Sequence, residues 1–238
     1  MTHCTACRAA RPQSARLLSL FDSLGPIMSG PSSSHTAGAC RLGRLAKALA
    51  ATPKKVDIIL HGSFAKTYKG HGTDLALLGG LLGMDTDDER IRDAERYAKE
   101  AGLEYTITTA DLGDKYHANT VKFQIVNEDG DSFIMVGSSL GGGRVMITEI
   151  NNFPVEIEGN LPAICNIHQN RPGAIYTISG VLAEKHINVC SMKVFRSEKK
   201  SNTAFMVLET DELVPPEVMA EIEDLPVIID VKFIPPVM

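Results

Sequence analysis

The sequence predicts an α+β protein: a mixed N-terminal domain followed by a small ferredoxin-like βαββαβ module. Two observations carry this. Strands outnumber helices in the first part and fall into antiparallel pairs, with Asp129-Gly130 as a turn signal between strands at 121–126 and 132–138. The last part, about 75 residues, reads strand, helix, strand, strand, helix, strand in order.

The N-terminal elements follow in turn. A short apolar stretch occupies 19–26. A helix is predicted over 36–51, with Leu42, Leu45, Ala46 and Leu49 on one face. A strand over 56–63 begins after Pro53-Lys54-Lys55 and ends in a turn at His61-Gly62-Ser63. Lys69-Gly70-His71-Gly72-Thr73-Asp74 reads as a glycine- and histidine-rich loop. An apolar helix over 75–82 is broken by Gly79-Gly80, and 87–101 is an amphipathic surface helix. Strands over 104–109, 121–126, 132–138 and 144–150 complete the domain, and the pattern resets near 151–160. In the C-terminal module the strands fall at 163–168, 187–195, 203–209 and 227–233. Its helices fall at 174–184 (Ile175, Ile178, Val181 and Leu182 at helical spacing) and 216–223, the latter with proline in its first turn. A polar hairpin at 197–202 joins the second and third strands. The boundaries expected are an extension at 1–18, a substrate- or anion-binding domain at 19–157 and a regulatory module at 161–238.

Bulk properties narrow the functional classes. The chain has 238 residues, 44% hydrophobic and 22% charged, with a formal net charge of −5. That balance argues against a nucleic-acid surface, and no apolar stretch is long enough to span a membrane. The five cysteines, Cys4, Cys7, Cys40, Cys165 and Cys190, are odd in number and widely spaced. A reducing, cytoplasmic setting is expected. Cys4-x-x-Cys7 alone supplies too few ligands for a metal or cluster site. Residues 1–18 are polar and read as a disordered extension.

The richest stretch is Gly30-Pro31-Ser32-Ser33-Ser34-His35-Thr36, directly before the first helix. A helix start offers unpartnered N–H groups and the positive end of the macrodipole. Serine and threonine hydroxyls add donors, and glycine lets a ligand approach the backbone. An ordinary N-cap needs only Ser34 or Thr36. Three serines followed by His-Thr point to an anion cradle, with Ser32, Ser33, Ser34 and Thr36 as ligand-binding groups and His35 as a titratable one. Of the other histidines, His71 and the adjoining Thr73 are candidates for proton transfer and support. His117 and His61 read as surface loop histidines. No His-x-x-x-His or Cys/His ladder is present, so no metal site is assigned to this chain. Gly141-Gly142-Gly143-Arg144 could present amides and a guanidinium to an anion, or could be a tight turn. No Walker or Rossmann glycine pattern occurs. In the C-terminal module the loop Asn170-Arg171-Pro172-Gly173 could hold a small carboxylate at the helix start, with Asn188 reaching it across a paired module. Turn geometry alone would equally explain the Pro and Gly.

Ser19-Leu20-Phe21-Asp22, Gly25-Pro26, the run from Gly30 to Thr36, Gly70-His71-Gly72-Thr73-Asp74 and Gly141-Gly142-Gly143 together resemble the β chain of the iron–sulfur L-serine dehydratases. The C-terminal module resembles an ACT domain, and the first domain the anion-binding regulatory domain of some phosphoglycerate dehydrogenases. The resemblance implies deamination of L-serine to pyruvate and ammonia with a [4Fe-4S] cluster and no pyridoxal phosphate. It implies that an iron binds substrate and assists the leaving hydroxyl. It further implies that the cluster cysteines lie on a partner α chain, toward which the serine-rich loop would face. His35 and His71 become the expected catalytic residues. Ser32, Ser33, Ser34, Thr36 and Thr73 become substrate contacts, and Asn170, Pro172, Gly173 and Asn188 effector contacts. L-serine is the substrate and a candidate ACT ligand, and ACT modules would mediate self-association. The competing expectation is a non-catalytic amino-acid sensor acting on a partner enzyme, since no self-sufficient catalytic set is present.

Overall fold

The computed structural model describes residues 26–196 and 202–237. Ser19, Leu20, Phe21, Asp22, the extension at 1–18 with Cys4 and Cys7, and most of the polar hairpin lie outside the described residues.

The N-terminal part is a six-stranded mixed sheet. In chain order it contains α1 (Gly38–Ala50), β1 (Pro53–Leu60), α2 (Gly62–His71), α3 (Thr73–Leu81), a 3₁₀ turn (Glu89–Asp93), α4 (Ala94–Glu100), β2 (Glu104–Thr109), β3 (Thr120–Asn127), β4 (Ser132–Gly141), β5 (Arg144–Ile150) and β6 (Phe153–Ile157). The strand order is β2-β1-β3-β4-β5-β6. β1 and β2 run parallel, and every other neighbouring pair is antiparallel. The Asp129-Gly130 hairpin forms as expected: Val126 faces Ser132 across it, and Gly130 takes φ +90°. Leu42 and Leu45 of α1 and Leu77 and Leu78 of α3 share a buried core with Val56, Ile58, Phe123, Met135 and Ile147 from the sheet.

Four expectations are revised here. Gly79-Gly80 does not break its helix, because α3 continues through both to Leu81. The glycines serve close packing: a Cβ on Gly80 would lie 2.1 Å from the Cys40 carbonyl oxygen, and one on Gly43 would lie 2.4 Å from that of Leu77. The 69–74 stretch is not a loop. α2 runs to His71, Gly72 turns the chain at φ +65°, and α3 starts at Thr73. The first helix begins later than position 36, because Ser33–Ala37 form a π turn before α1. β6 also emerges from the stretch where the pattern resets, entered through Asn151 and Asn152 at φ +49° and +66°.

The C-terminal part contains β7 (Ala163–Gln169), α5 (Ala174–Glu184), β8 (Val189–Arg196), β9 (Thr203–Thr210), α6 (Pro216–Glu223) and β10 (Ile228–Ile234). This is the βαββαβ order read from the sequence, with strands arranged β10-β7-β9-β8. Alternation gives this sheet two buried faces. Ile164, Met206 and Leu208 pack with Ile178 and Leu182 of α5 and with Ile222 of α6. Cys165, Phe205, Val207 and Ile234 join the core of the first part instead. There Phe205 stacks on Phe153, with ring centroids 5.2 Å apart and planes 12° from parallel. Gly159 passes against Leu45 and Val237 at the same junction. Phe205→Ala opens a cavity between the two sheets, and urea unfolding is expected to show a loss of about 3 kcal/mol.

Candidate active site at the start of the first helix

The serine run folds into a π turn because Thr36 N–H and Ala37 N–H both donate to the Ser32 carbonyl, while Gly38 N–H donates to that of Ser33. Such turns are frequent at functional sites. Ser32 caps the turn: its Oγ accepts from His35 N–H at 3.1 Å. The hydroxyls of Ser32 and Ser34 lie 3.5 and 3.2 Å from His35 Nδ1. His35 Nε2 lies 3.1 Å from Ser63 Oγ. Each ring nitrogen therefore meets a hydroxyl, and the edge of the ring packs against Phe64.

His71 comes to the same place from the end of α2. Its ring centroid is 4.9 Å from that of His35, and its carbonyl accepts from Thr36 Oγ1 at 3.2 Å. His71, from the end of α2, therefore joins His35, Thr36 and the hydroxyls of Ser32 and Ser34 in the serine turn. Thr73 opens α3 immediately after the corner. Its hydroxyl, His71 Nδ1 and Ser139 Oγ are all buried without a hydrogen-bond partner among the described residues. Buried polar groups in that condition are costly unless something else meets them. Ser139 lies over the first residue of α1, where a Cβ on Gly38 would sit 2.1 Å from its Oγ.

Burial holds the His35 pKa below its ordinary value of 6.5, and the nearby charge of His71 adds to the effect. Burial lowers His168 in the second sheet as well. Both rings are therefore neutral at pH 7. The unfolded chain takes up these protons more readily than the folded one, so the stability these two groups contribute is present above their unfolded pKa of 6.5 and is lost as the solution is acidified. A series of urea unfolding curves from pH 7.5 to 5.5 should show the midpoint dropping, with a smaller drop in His168→Gln.

Other candidates are more dispersed. Gly141, Gly142 and Gly143 form the tight turn between β4 and β5, with φ of +93°, +62° and +77°. Arg41 donates to the Gly143 carbonyl at 2.6 Å and so ties that turn to α1. His117 Nδ1 accepts from Asn119 N–H, a local turn contact. His61 Nδ1 accepts from Leu112 N–H and is mostly buried, so it is not a free surface histidine. Asn170, Pro172 and Gly173 line a groove of about 420 Å³ with Tyr176 and Arg196, and Gly173 takes φ +88° at the start of α5. Asn188 is not brought to that groove within the chain, since its amide donates to Asp211. Ser63 and Ser139 were not among the residues singled out for the site. The sequence placed Ser63 in a turn after a strand, and nothing in its local pattern pointed 28 positions back to His35.

The profile of the serine dehydratase β chain matches residues 19–150, and that of the ACT domain matches residues 164–227. A Bacillus subtilis protein described as a probable L-serine dehydratase β chain is 44% identical over 90% of this chain and 96% of its own length. The L-serine dehydratase β chain of Peptoniphilus asaccharolyticus is 42% identical over 82% of this chain and 87% of its own. The chain belongs to the serine dehydratase β-chain family. A D-3-phosphoglycerate dehydrogenase from Synechocystis is also similar, at 27% identity over 71% of this chain and 30% of that protein. In this family member the serine-rich turn, His35 and His71 all fall inside the matched β-chain region, and the groove around Gly173 falls inside the ACT region.

The three described cysteines do not suit an iron–sulfur cluster. Cys40 and Cys165 are buried, and burial pushes both thiols up to about 12. Cluster ligands are thiolates, and Cys190 stands exposed on β8. Among the described residues no group of three or more His, Cys, Asp or Glu could hold a metal.

Proposed function

We propose that this chain is the β subunit of a two-chain [4Fe-4S] L-serine dehydratase, converting L-serine to pyruvate and ammonia, with the cluster held by an α chain. The observation that carries the reading is the convergence of His35 and His71 with the hydroxyls of Ser32 and Ser34 at one helix start. That set can hold and deprotonate a small amino acid but has no group of its own to take a departing hydroxide. The β-chain relatives support an enzyme subunit over the purely regulatory reading.

In this proposal the hydroxyls of Ser32, Ser33 and Ser34 and the positive end of the helix hold the substrate carboxylate. Thr36 fixes the backbone that carries His71. Neutral His35 accepts and returns a proton, with His71 beside it and Thr73 opening the helix that follows. The cluster's iron, when the α chain is bound, would supply the Lewis acid for the leaving hydroxyl.

The groove at Asn170, Pro172 and Gly173 is proposed as an effector site for L-serine or a similar amino acid. Asn188 of a second copy would complete it through paired ACT domains. The assembly is proposed to work in the cytoplasm, and among the described residues no helix is long and apolar enough to cross a membrane.

The test is co-expression of this chain, tagged, with an α chain of the family under anaerobic conditions. The complex is expected to carry iron and labile sulfide and to form pyruvate from L-serine. Failure of the chains to co-purify, or a complex inert to L-serine, overturns the reading.

A further inference from the structure

His35 is gripped from its far side by a residue outside the serine run. Ser63 Oγ lies 3.1 Å from His35 Nε2, and among the described residues His35 is the partner of that hydroxyl. Ser63 is the second residue of α2, whose N-cap position is His61, so helix capping makes no call on its hydroxyl. The hydroxyl is directed to the imidazole instead.

The backbone beneath Ser63 is fixed. Its N–H donates to the Ala118 carbonyl at 2.6 Å, and its own carbonyl accepts from Thr67 Oγ1 at 2.9 Å. Gly62, just before it, takes φ +58°, and a Cβ there would lie 2.5 Å from the Ala118 oxygen. Only glycine lets the chain pass that close, so the turn leading into β3 sets where Ser63 stands. Phe64, the next residue, is fully buried and packs edge-on to the same imidazole at 5.3 Å between centroids. The turn from β1 into α2 thus supplies a hydroxyl to one ring nitrogen and an aromatic wall to the ring, while the serine run supplies hydroxyls to the other nitrogen.

We propose that Ser63 is a positioning residue of the dehydratase: its hydroxyl fixes the orientation of the His35 ring from the side opposite the serine run. An imidazole held by a hydroxyl at each nitrogen has one ring orientation that satisfies both. Removing the Ser63 hydroxyl frees the ring to rotate. Substrate contacts at the serine run are untouched, so turnover falls and binding does not. This inference rests on the proposed role of His35.

The experiment compares the two-chain enzyme carrying Ser63→Ala, Ser63→Thr and His35→Ala. Ser63→Ala is expected to lower kcat about tenfold while KM for L-serine stays within about twofold. Ser63→Thr, which keeps the hydroxyl, should restore kcat to within about threefold of the unaltered enzyme. Imidazole ¹⁵N spectra of the full β chain alone should show the His35 Nε2 resonance shifted in Ser63→Ala and restored in Ser63→Thr. Unchanged kcat in Ser63→Ala alongside an inactive His35→Ala overturns the role of Ser63 alone. Full activity in His35→Ala overturns the role of His35 and this inference with it. A loss in Ser63→Ala that Ser63→Thr does not repair, with an unshifted Nε2 resonance, assigns Ser63 to structure and also overturns it.

Discussion

His35→Ala, assembled with the α chain, is expected to lose at least about a hundredfold in pyruvate formation from L-serine, the low end of what a positioned acid–base group contributes. The loss should fall on kcat, because the serine hydroxyls proposed to hold the carboxylate remain. His35 is suited to the task by its surroundings: burial and His71 keep it neutral at pH 7, and hydroxyls at both nitrogens keep it oriented. Thermal unfolding of the variant chain separates chemistry from damage. The imidazole is half-buried at the surface end of the π turn, so its removal should leave the melting temperature nearly unchanged. His35→Ala with turnover equal to the unaltered enzyme would remove the proton-transfer role.

The largest structural effect is expected at Gly80. A methyl group there would meet the Cys40 carbonyl at 2.1 Å and the Arg44 nitrogen at 2.8 Å, both backbone atoms of α1. No rotamer change can relieve a clash with backbone, so α1 and α3 must separate. Overpacking of this kind costs about 3 kcal/mol or more, and Gly80→Ala should unfold at markedly lower urea or fail to accumulate. The same displacement moves the start of α1, which carries the serine turn, so residual protein should bind the α chain poorly. Gly180→Ala is the control. It lies inside α5 with open space around it, and replacing that glycine should stabilise the chain by about 0.5–1 kcal/mol.

Much of this architecture was legible because local chemistry and tertiary structure agree. The Asp129-Gly130 turn needs a left-handed residue, and Gly130 supplies it. Ile178, Val181 and Leu182 repeat at helical spacing and are buried by α5, whereas Ile175, expected on the same face, is exposed. What misled the reading was glycine. Gly70 and Gly72 made the His71 stretch look like a loop, although only Gly72 is a corner and Gly70 sits inside α2. Gly79 and Gly80 looked like a break, although they are the contact surface of two helices. β6 was hidden by Pro154 and by the two asparagines before it, features that suit an edge strand and a linker equally well.

The candidate site divides along the same line. The serine run and His35 are contiguous, so their spacing announced a helix start with hydroxyls around an imidazole. His71 was visible as a residue type in glycine-rich sequence, but its approach to 4.9 Å from His35 depends on the corner between α2 and α3. Ser63 and Ser139 reach the site only through the sheet. Each lies on or beside a strand end that the fold brings to α1, and no local motif marks a serine as bound for a histidine on another element.

The central claim is that this chain carries half of a catalytic site. The most direct measurement is anaerobic pyruvate formation from L-serine as the β chain is titrated into a fixed amount of α chain. The account predicts no turnover by the β chain alone, a rate that climbs with added β chain, and saturation near equimolar chains. Full activity of the α chain without it, or pyruvate formed by the β chain alone, would contradict the claim.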